Sequence, residues 1–285
     1  MKAKKKLEQF LGFFFLRLCL YLVLAVLLLF LYDIGRKGGG AISWEFLTTA
    51  PRRGMTQGGI LPAIVGTFLV TVITAVLAVP MGMAAAIYLN EYAKQTWLTR
   101  IIRLAIRNLS GVPSIVYGLF GVILFVNILR FGTSVLSAGL TLGLLTLPWT
   151  ITASEEALKT VPNSFREGAL ALGATKWQSI RTNVLPYAIP GMLTGMVLGL
   201  ARAAGETAPI MFTGAAFYLP YLPKSPGDQF MALPYHLYIL ATQHHAILQV
   251  RPLAYGTALV LIVFVLGMNL TSVIIRSRLR RKRRI

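Results

Sequence analysis

Arg202 and Glu206 stand four residues apart inside the apolar stretch Tyr187 to Phe212, so on a helix they share one face and can pair. A charge near the centre of a bilayer costs from about 2.5 to more than 10 kcal/mol, so each of the two needs a partner or an aqueous path. The residues leave two readings open: an ion pair that locks helices together, or a place where a planar guanidinium meets an oxyanion. Arg202 is the basic residue that lies well inside an apolar stretch. On the same stretch Gly191, Gly195, Gly199 and Ala203 recur at every fourth position. Such a ridge of small residues allows close helix approach and sets Arg202 beside the contact.

The remaining material for chemistry is His236, His244, His245 and Asp228, in a segment rich in Pro and aromatic residues. Adjacent histidines point in different directions on a helix, and no H-E-x-x-H spacing accompanies them. A membrane-embedded enzyme built on these groups is the rival from another class, and solvated or interfacial histidines are the simpler account. Cys19 is the single cysteine, which excludes a disulfide framework and a cysteine-based metal site. No G-x-x-x-x-G-K-[ST] occurs, so the chain carries no P-loop of its own. No cofactor, metal or catalytic residue is expected.

These residues belong to a chain of 285 residues that is 56% hydrophobic and 13% charged. Soluble globular proteins carry about 25% charged residues, and the deficit argues against a water-soluble monomer. The formal net charge of +19 would point to nucleic acid in a polar chain. Here the charge-poor runs of membrane length exclude that partner.

Six apolar stretches are long enough to cross a membrane: Leu11–Tyr32, Pro62–Leu89, Leu109–Leu129, Thr133–Thr152, Tyr187–Phe212 and Ala254–Ile275. The first is too long for the apolar core of a signal peptide, so it is read as a span. Internal Pro80, Pro113 and Pro148 predict kinked, tightly packed helices, since neighbours in a membrane bundle satisfy the freed backbone groups. An even number of spans puts both termini on one side. That side holds twenty Lys and Arg against seven on the other, which predicts cytoplasmic termini. The organisation is then a basic N-terminus (1–10), a first span (11–32), an external loop (33–61), a five-span domain (62–275) and a basic tail (276–285) that anchors to anionic lipid. A second external loop covers 213–253. Trp44, Phe217, Tyr218, Tyr221, Tyr235 and Tyr238 in these loops suit an interfacial belt or a partner surface.

Between the fourth and fifth spans, residues 155–186 leave the membrane. Ser164 followed by Glu167 is a capping-box pattern, Gly173 suits a left-handed helix end, and Thr175 with Gln178 begins a second box. The product is a short helix exposing Phe165, Leu170 and Leu172. It could dock in a groove of another protein or lie on lipid.

Glu167, Ala169, Gly173, Leu185 and Pro186 match the EAA loop of the membrane subunits of ABC importers, with departures at Gly168, where alanine is usual, and at Asn183, where an aliphatic residue is usual. The segments Ser110–Gly121 and Ala201–Pro209 narrow the match, and from Gly58 onward the chain resembles the permeases of phosphate importers. The resemblance implies an all-α, polytopic transmembrane domain of the ABC type I importer class, without enzymatic activity of its own, in the inner membrane of a prokaryote. It implies that Ser164, Phe165, Glu167, Gly168, Ala169, Leu172 and Gly173 form a coupling helix seated on an ATPase dimer. It further implies a homologous second permease subunit against the glycine ridge, an external phosphate-binding protein, and a translocation path past Arg202 and Glu206.

Overall fold

The computed structural model describes residues 2–281, with side chains from 9 to 278. The lysines at 2, 4, 5 and 6 and the basic tail beyond Arg278 lie outside the described side chains. Helix α1 (Lys2–Gly39) is followed by a short helix α2 (Trp44–Thr48) and a two-stranded hairpin, β1 (Pro51–Arg52) with β2 (Gln57–Gly58). Ten further helices follow: α3 (Leu61–Ile87), α4 (Trp97–Leu109), α5 (Ser114–Gly121), α6 (Val135–Lys159), α7 (Asn163–Ala171), α8 (Lys176–Ser179), α9 (Leu185–Ala204), α10 (Ala208–Thr213), α11 (Leu233–Tyr238) and α12 (Ile247–Arg281). Single π-helical segments extend α3 to Tyr92, α5 to Ile128 and α11 to Gln243, and join α8 to α9.

Among the described residues, five continuous helices are long and apolar enough to cross a membrane: Gln9–Gly39, Leu61–Tyr92, Val135–Lys159, Lys176–Ala204 and Ile247–Arg278. A sixth crossing is made only by a bent pair, Trp97–Leu109 with Ser114–Ile128, at 101°. The expected span Leu109–Leu129 is therefore corrected. Its first residues form the turn between α4 and α5, because Pro113 lacks an N–H and restricts Val112 before it. Helix α4 is amphipathic, with Arg100, Arg103 and Arg107 at a spacing that puts them on one face.

The centre of the fold is α3 against α6, with α9 packed on both. Their threonines are reconciled with an apolar setting by bonding backward: Thr67, Thr71, Thr74, Thr141, Thr146 and Thr150 each donate to the carbonyl four residues before. Glycines set the approach. An added methyl at Gly82 would strike the Thr150 side chain, and one at Gly139 would strike Ile73. At one end of the bundle, Leu89, Leu158, Val184 and Met192 form a buried cluster beneath α7.

At the opposite end the segments 40–60 and 214–246 pack on one another. Tyr218 donates to the Pro51 carbonyl at 3.1 Å, and Met55 is buried with Ile239, Leu240 and Val250. Helix α1 stands apart. It leans on α12 near its end, where Gly38 meets the Tyr255 backbone, and its apolar residues from Phe10 to Leu31 are exposed.

Candidate functional site

Helix α9 ends at Ala204, and Gly205 caps it by donating to the Arg202 carbonyl at 3.0 Å. The chain then restarts as α10 with Pro209 in its first turn. The expectation of one continuous span Tyr187–Phe212, with Arg202 and Glu206 on a single helical face, is corrected by this break. Gly205 has poor helix propensity, and Pro209 lacks the N–H that a continuing helix would bond through. Glu206 therefore lies in the break, while Arg202 occupies the last turn of α9.

Arg202 is nonetheless far from the ends of the bundle. Its guanidinium lies over the Trp149 ring, 4.8 Å from the centroid. Trp149 is ten residues from the end of α6 at Lys159, or about 15 Å along the axis. Nε of Arg202 is 3.7 Å from Oε1 of Glu206, an ion pair without a hydrogen bond. The Arg202 side chain is 50% exposed and that of Glu206 17%, so the guanidinium faces open space and the carboxylate shields behind it. The arrangement is a cation held by an indole face and one loose carboxylate, with N–H donors free to meet an anion.

The two segments that carried the finer resemblance meet in space. Gly118 of α5 lies against α10 so closely that an added methyl would be 3.0 Å from the Pro209 Cα and 3.2 Å from the Ala208 carbonyl oxygen. Gly121 likewise abuts Thr141 of α6. The break after Arg202 is thus braced by Gly118 of α5, while Gly121 seats the same helix on α6.

Gly191 and Gly199 face Ala157 and Thr146 of α6, at 3.1 and 3.2 Å from an added methyl, and Gly195 faces Ala153 more tightly still. The ridge is spent on α6 of the same chain. A second subunit against that ridge is corrected accordingly.

At the other end, α7 presents the predicted loop. Its first residue is Asn163, capped by Pro162 with no side-chain hydrogen bond, so Ser164 lies within the first turn and the expected Ser164–Glu167 box is not formed. Pro162, with φ of −57°, fixes the entry before any serine cap is needed. Thr175 and Gln178 do form their reciprocal box. Gly173 has φ of +82° and closes α7, with its N–H bonded to the Leu170 carbonyl at 3.0 Å and that of Ala174 to Ala169 at 3.1 Å. Leu172 is 91% exposed, Phe165, Glu167, Gly168 and Leu170 are exposed, and Ala169 faces inward. The departure at Gly168 is harmless, since an added methyl would meet nothing within 4 Å.

Four charged residues given no role from the sequence converge beneath α7. Arg166 pairs with Glu91 at 2.7 Å, and Arg103 with Glu155 at 3.2 Å. Each carboxylate stands at or near the end of an apolar stretch, the signal that could have found it.

The polar residues of the far loop do not converge. Asp228 accepts from the N–H groups of Lys224 and Ser225 and from the Ser225 hydroxyl, and these bonds hold its carboxyl below the usual range. His236 is buried outside the spans, and burial pushes its pKa down to about 4. His244 accepts at Nδ1 from the Ala246 N–H at 3.0 Å, which leaves Nε2 to donate to the Gly54 carbonyl at 2.7 Å.

Membrane-length helices, one of them followed by a break beside a guanidinium inside the bundle, together with a short exposed helix at one end of the bundle, define a polytopic membrane protein. The chain belongs to the family of binding-protein-dependent transport system inner membrane components, whose model matches residues 78–285. It is 38% identical over 230 residues to the phosphate transport system permease protein PstA 1 of Mycobacterium tuberculosis, covering 80% of this chain and 73% of that one. It is 32% identical over 267 residues to the probable ABC transporter permease protein YqgI of Bacillus subtilis, covering 90% of each. In fold it is similar to a chain of a bacterial alginate ABC transporter solved in complex with an alginate pentasaccharide-bound periplasmic protein. The TM-score is 0.64 at 14% identity, over 94% of each chain. The all-α transmembrane fold of ABC type I importers is thereby established for this chain.

Proposed function

We propose that this chain is the permease subunit of an ATP-driven importer that moves inorganic phosphate across the cytoplasmic membrane. The observation that carries the substrate is the 38% identity to a phosphate transport permease over 80% of the chain. The geometry supports it. A guanidinium at mid-depth, half exposed and only loosely countered by Glu206, suits transient contact with a tetrahedral oxyanion. Firm pairing would hold the cation back from its cargo, and complete exposure to hydrocarbon would be too costly.

The energy comes from a separate ATPase dimer, seated against α7 through the exposed Ser164, Phe165, Glu167, Gly168, Leu172 and Gly173; the expected contact at Ala169 is corrected, because that side chain is buried against the bundle. A homologous second permease subunit closes the path around Arg202 and Glu206. An external phosphate-binding protein delivers the cargo to the face formed by 33–61 and 213–253. Both termini lie in the cytoplasm, and the basic tail rests on anionic lipid. The proposed domain order is that read from the sequence, with the coupling loop within about 155–186, although helix α1 continues to Gly39 and α6 to Lys159 beyond the expected span ends. Closure of the ATPase pair displaces α7, rocks the spans and opens the path past Arg202 inward.

The test is uptake of labelled phosphate by cells lacking their own permease, comparing the wild type with Arg202→Gln at equal membrane abundance and with labelled sulfate as control. Phosphate uptake by the wild type and its loss in the variant is the expected result. Normal uptake in the variant returns Arg202 and Glu206 to a structural ion pair, and no uptake by the wild type removes phosphate as the cargo.

A further inference from the structure

The coupling helix has few means of gripping the bundle. Among its side chains Ala169 alone is buried, and Phe165 leans on Tyr187 with ring centroids 5.3 Å apart. The strongest attachment is Arg166. Its Nη2 lies 2.7 Å from Oε1 of Glu91 and its Nε 3.1 Å from Oε2, a two-pronged pairing with a residue in the last turn of the α3 extension. The rest of the guanidinium is spent on carbonyls at the end of α6: Nη1 donates to Val161 at 2.9 Å and Nη2 to Leu158 at 3.1 Å. Asn90 donates to Glu91 at 2.8 Å and steadies the carboxylate. Only 5% of the Glu91 side chain and 19% of the Arg166 side chain reach solvent.

A second arginine repeats the pattern from the other flank. Arg103 of α4 donates to the Leu89 carbonyl of the α3 extension at 2.6 Å and stands 3.2 Å from Glu155 of α6. Two guanidiniums therefore span the same two helix ends, where unsatisfied carbonyls and the helix dipole both favour a cation. One of them belongs to the helix that a partner pushes.

We infer that the Arg166–Glu91 pair is the mechanical link through which a displacement of α7 reaches the membrane helices, so that α7, α3 and α6 move as one body. This rests on the importer reading above. Two parallel bonds fix angle as well as distance, which a lysine point charge does not, so a push on α7 is delivered to α3 without slack. Because α3 and α6 form the most extensive helix contact among the described residues, a force applied at their joined ends moves the pair rather than separating it. Arg166 is a positioning residue here, since it touches neither nucleotide nor cargo.

The experiment uses the complete importer in sealed vesicles, with Arg166→Gln, Glu91→Gln, the double variant and Arg166→Lys compared at equal assembly. Phosphate moved per ATP hydrolysed is expected to fall about fivefold or more in each single variant, a coupling-sized effect. The double variant should fall no further than either single, because both remove one link. Arg166→Lys should stay low, because charge is kept and the fork is lost. An unchanged ratio, or additive losses, overturns the inference. A second readout is independent of the cargo: the distance between spin labels at Tyr88→Cys and Ala171→Cys, with Cys19→Ser, in the same complex. A single narrow distance that broadens with Arg166→Gln supports the link, and an unaltered distribution overturns it. Should the wild type move no phosphate, the substrate assignment fails and the label distance still decides the link.

Discussion

The Arg202 guanidinium rests on the face of Trp149, 4.8 Å from the ring centroid, at the depth where α9 breaks. The indole gives the cation a fixed orientation without consuming its N–H donors, whereas a close carboxylate would consume them.

Replacing Trp149 therefore tests positioning apart from charge. A cation–π contact contributes from about 0.5 to 2 kcal/mol, so Trp149→Leu should weaken apparent phosphate affinity about 2- to 30-fold with Arg202 untouched. Trp149→Phe should lie between the two, since its ring is a weaker partner. Initial uptake rates over a range of phosphate concentrations supply the KM. An unchanged KM in Trp149→Leu would mean that the ring only fills space.

Glycines at two sites should respond in opposite ways. Gly168 lies in α7 with nothing within 4 Å of an added methyl, so Gly168→Ala should stabilise by about 1 kcal/mol through helix propensity. Gly118 faces backbone atoms of α10, which cannot swing aside as a side chain could. Gly118→Val should therefore destabilise by about 1–3 kcal/mol and disturb the break beside Arg202. Thermal unfolding of the purified protein in detergent reads both signs.

The long apolar crossings were legible in the sequence because lipid tolerates few ways of satisfying a backbone, and a run of twenty apolar residues has little alternative to a helix. The loop around Gly173 was legible for a local reason, since a glycine placed after a helical run marks a left-handed ending. The break at Gly205 was missed although Gly205 and Pro209 signalled it, because hydropathy runs through the break uninterrupted. Arg166 and Glu91 were beyond reach in another sense. They are 75 residues apart, and no periodicity within either segment states which distant helix end an arginine will meet. Trp149 was hidden likewise, as one aromatic residue among many in an apolar span. What local chemistry fixes can be read locally, and what tertiary contact fixes cannot.

Acid should weaken the fold through His236. Burial holds its pKa at about 4, below the ordinary 6.5 of a histidine. Between those values the unfolded chain binds a proton that the native ring refuses, so stability falls as pH drops through 6.5 and the loss is complete near 4. The full loss is about 3 kcal/mol for a shift of this size. The midpoint of thermal unfolding should fall from pH 7.5 to pH 5, and by less in His236→Phe, which keeps an aromatic ring without the titration. Equal falls in the two proteins would place the acid sensitivity elsewhere.

Gly173 sets the angle at which α7 leaves the bundle, and its φ of +82° is open to glycine at little cost. A β-carbon there costs about 1–2 kcal/mol, so Gly173→Ala should strain the turn and still fold. Proline requires φ near −65° and lacks an N–H, whereas Gly173 donates to the Leu170 carbonyl at 3.0 Å. Gly173→Pro must therefore unwind the end of α7 and withdraw the exposed Leu172 from its present position. Because the turn lies outside the membrane core and Gly173 has no tertiary neighbour within 4 Å of an added methyl, insertion and assembly should survive. In sealed vesicles holding the complete proposed importer, the ATPase partner of the Gly173→Pro chain should hydrolyse ATP without phosphate being moved, while Gly173→Ala retains partial transport. Normal transport by Gly173→Pro would show that α7 need not keep this geometry to receive the push.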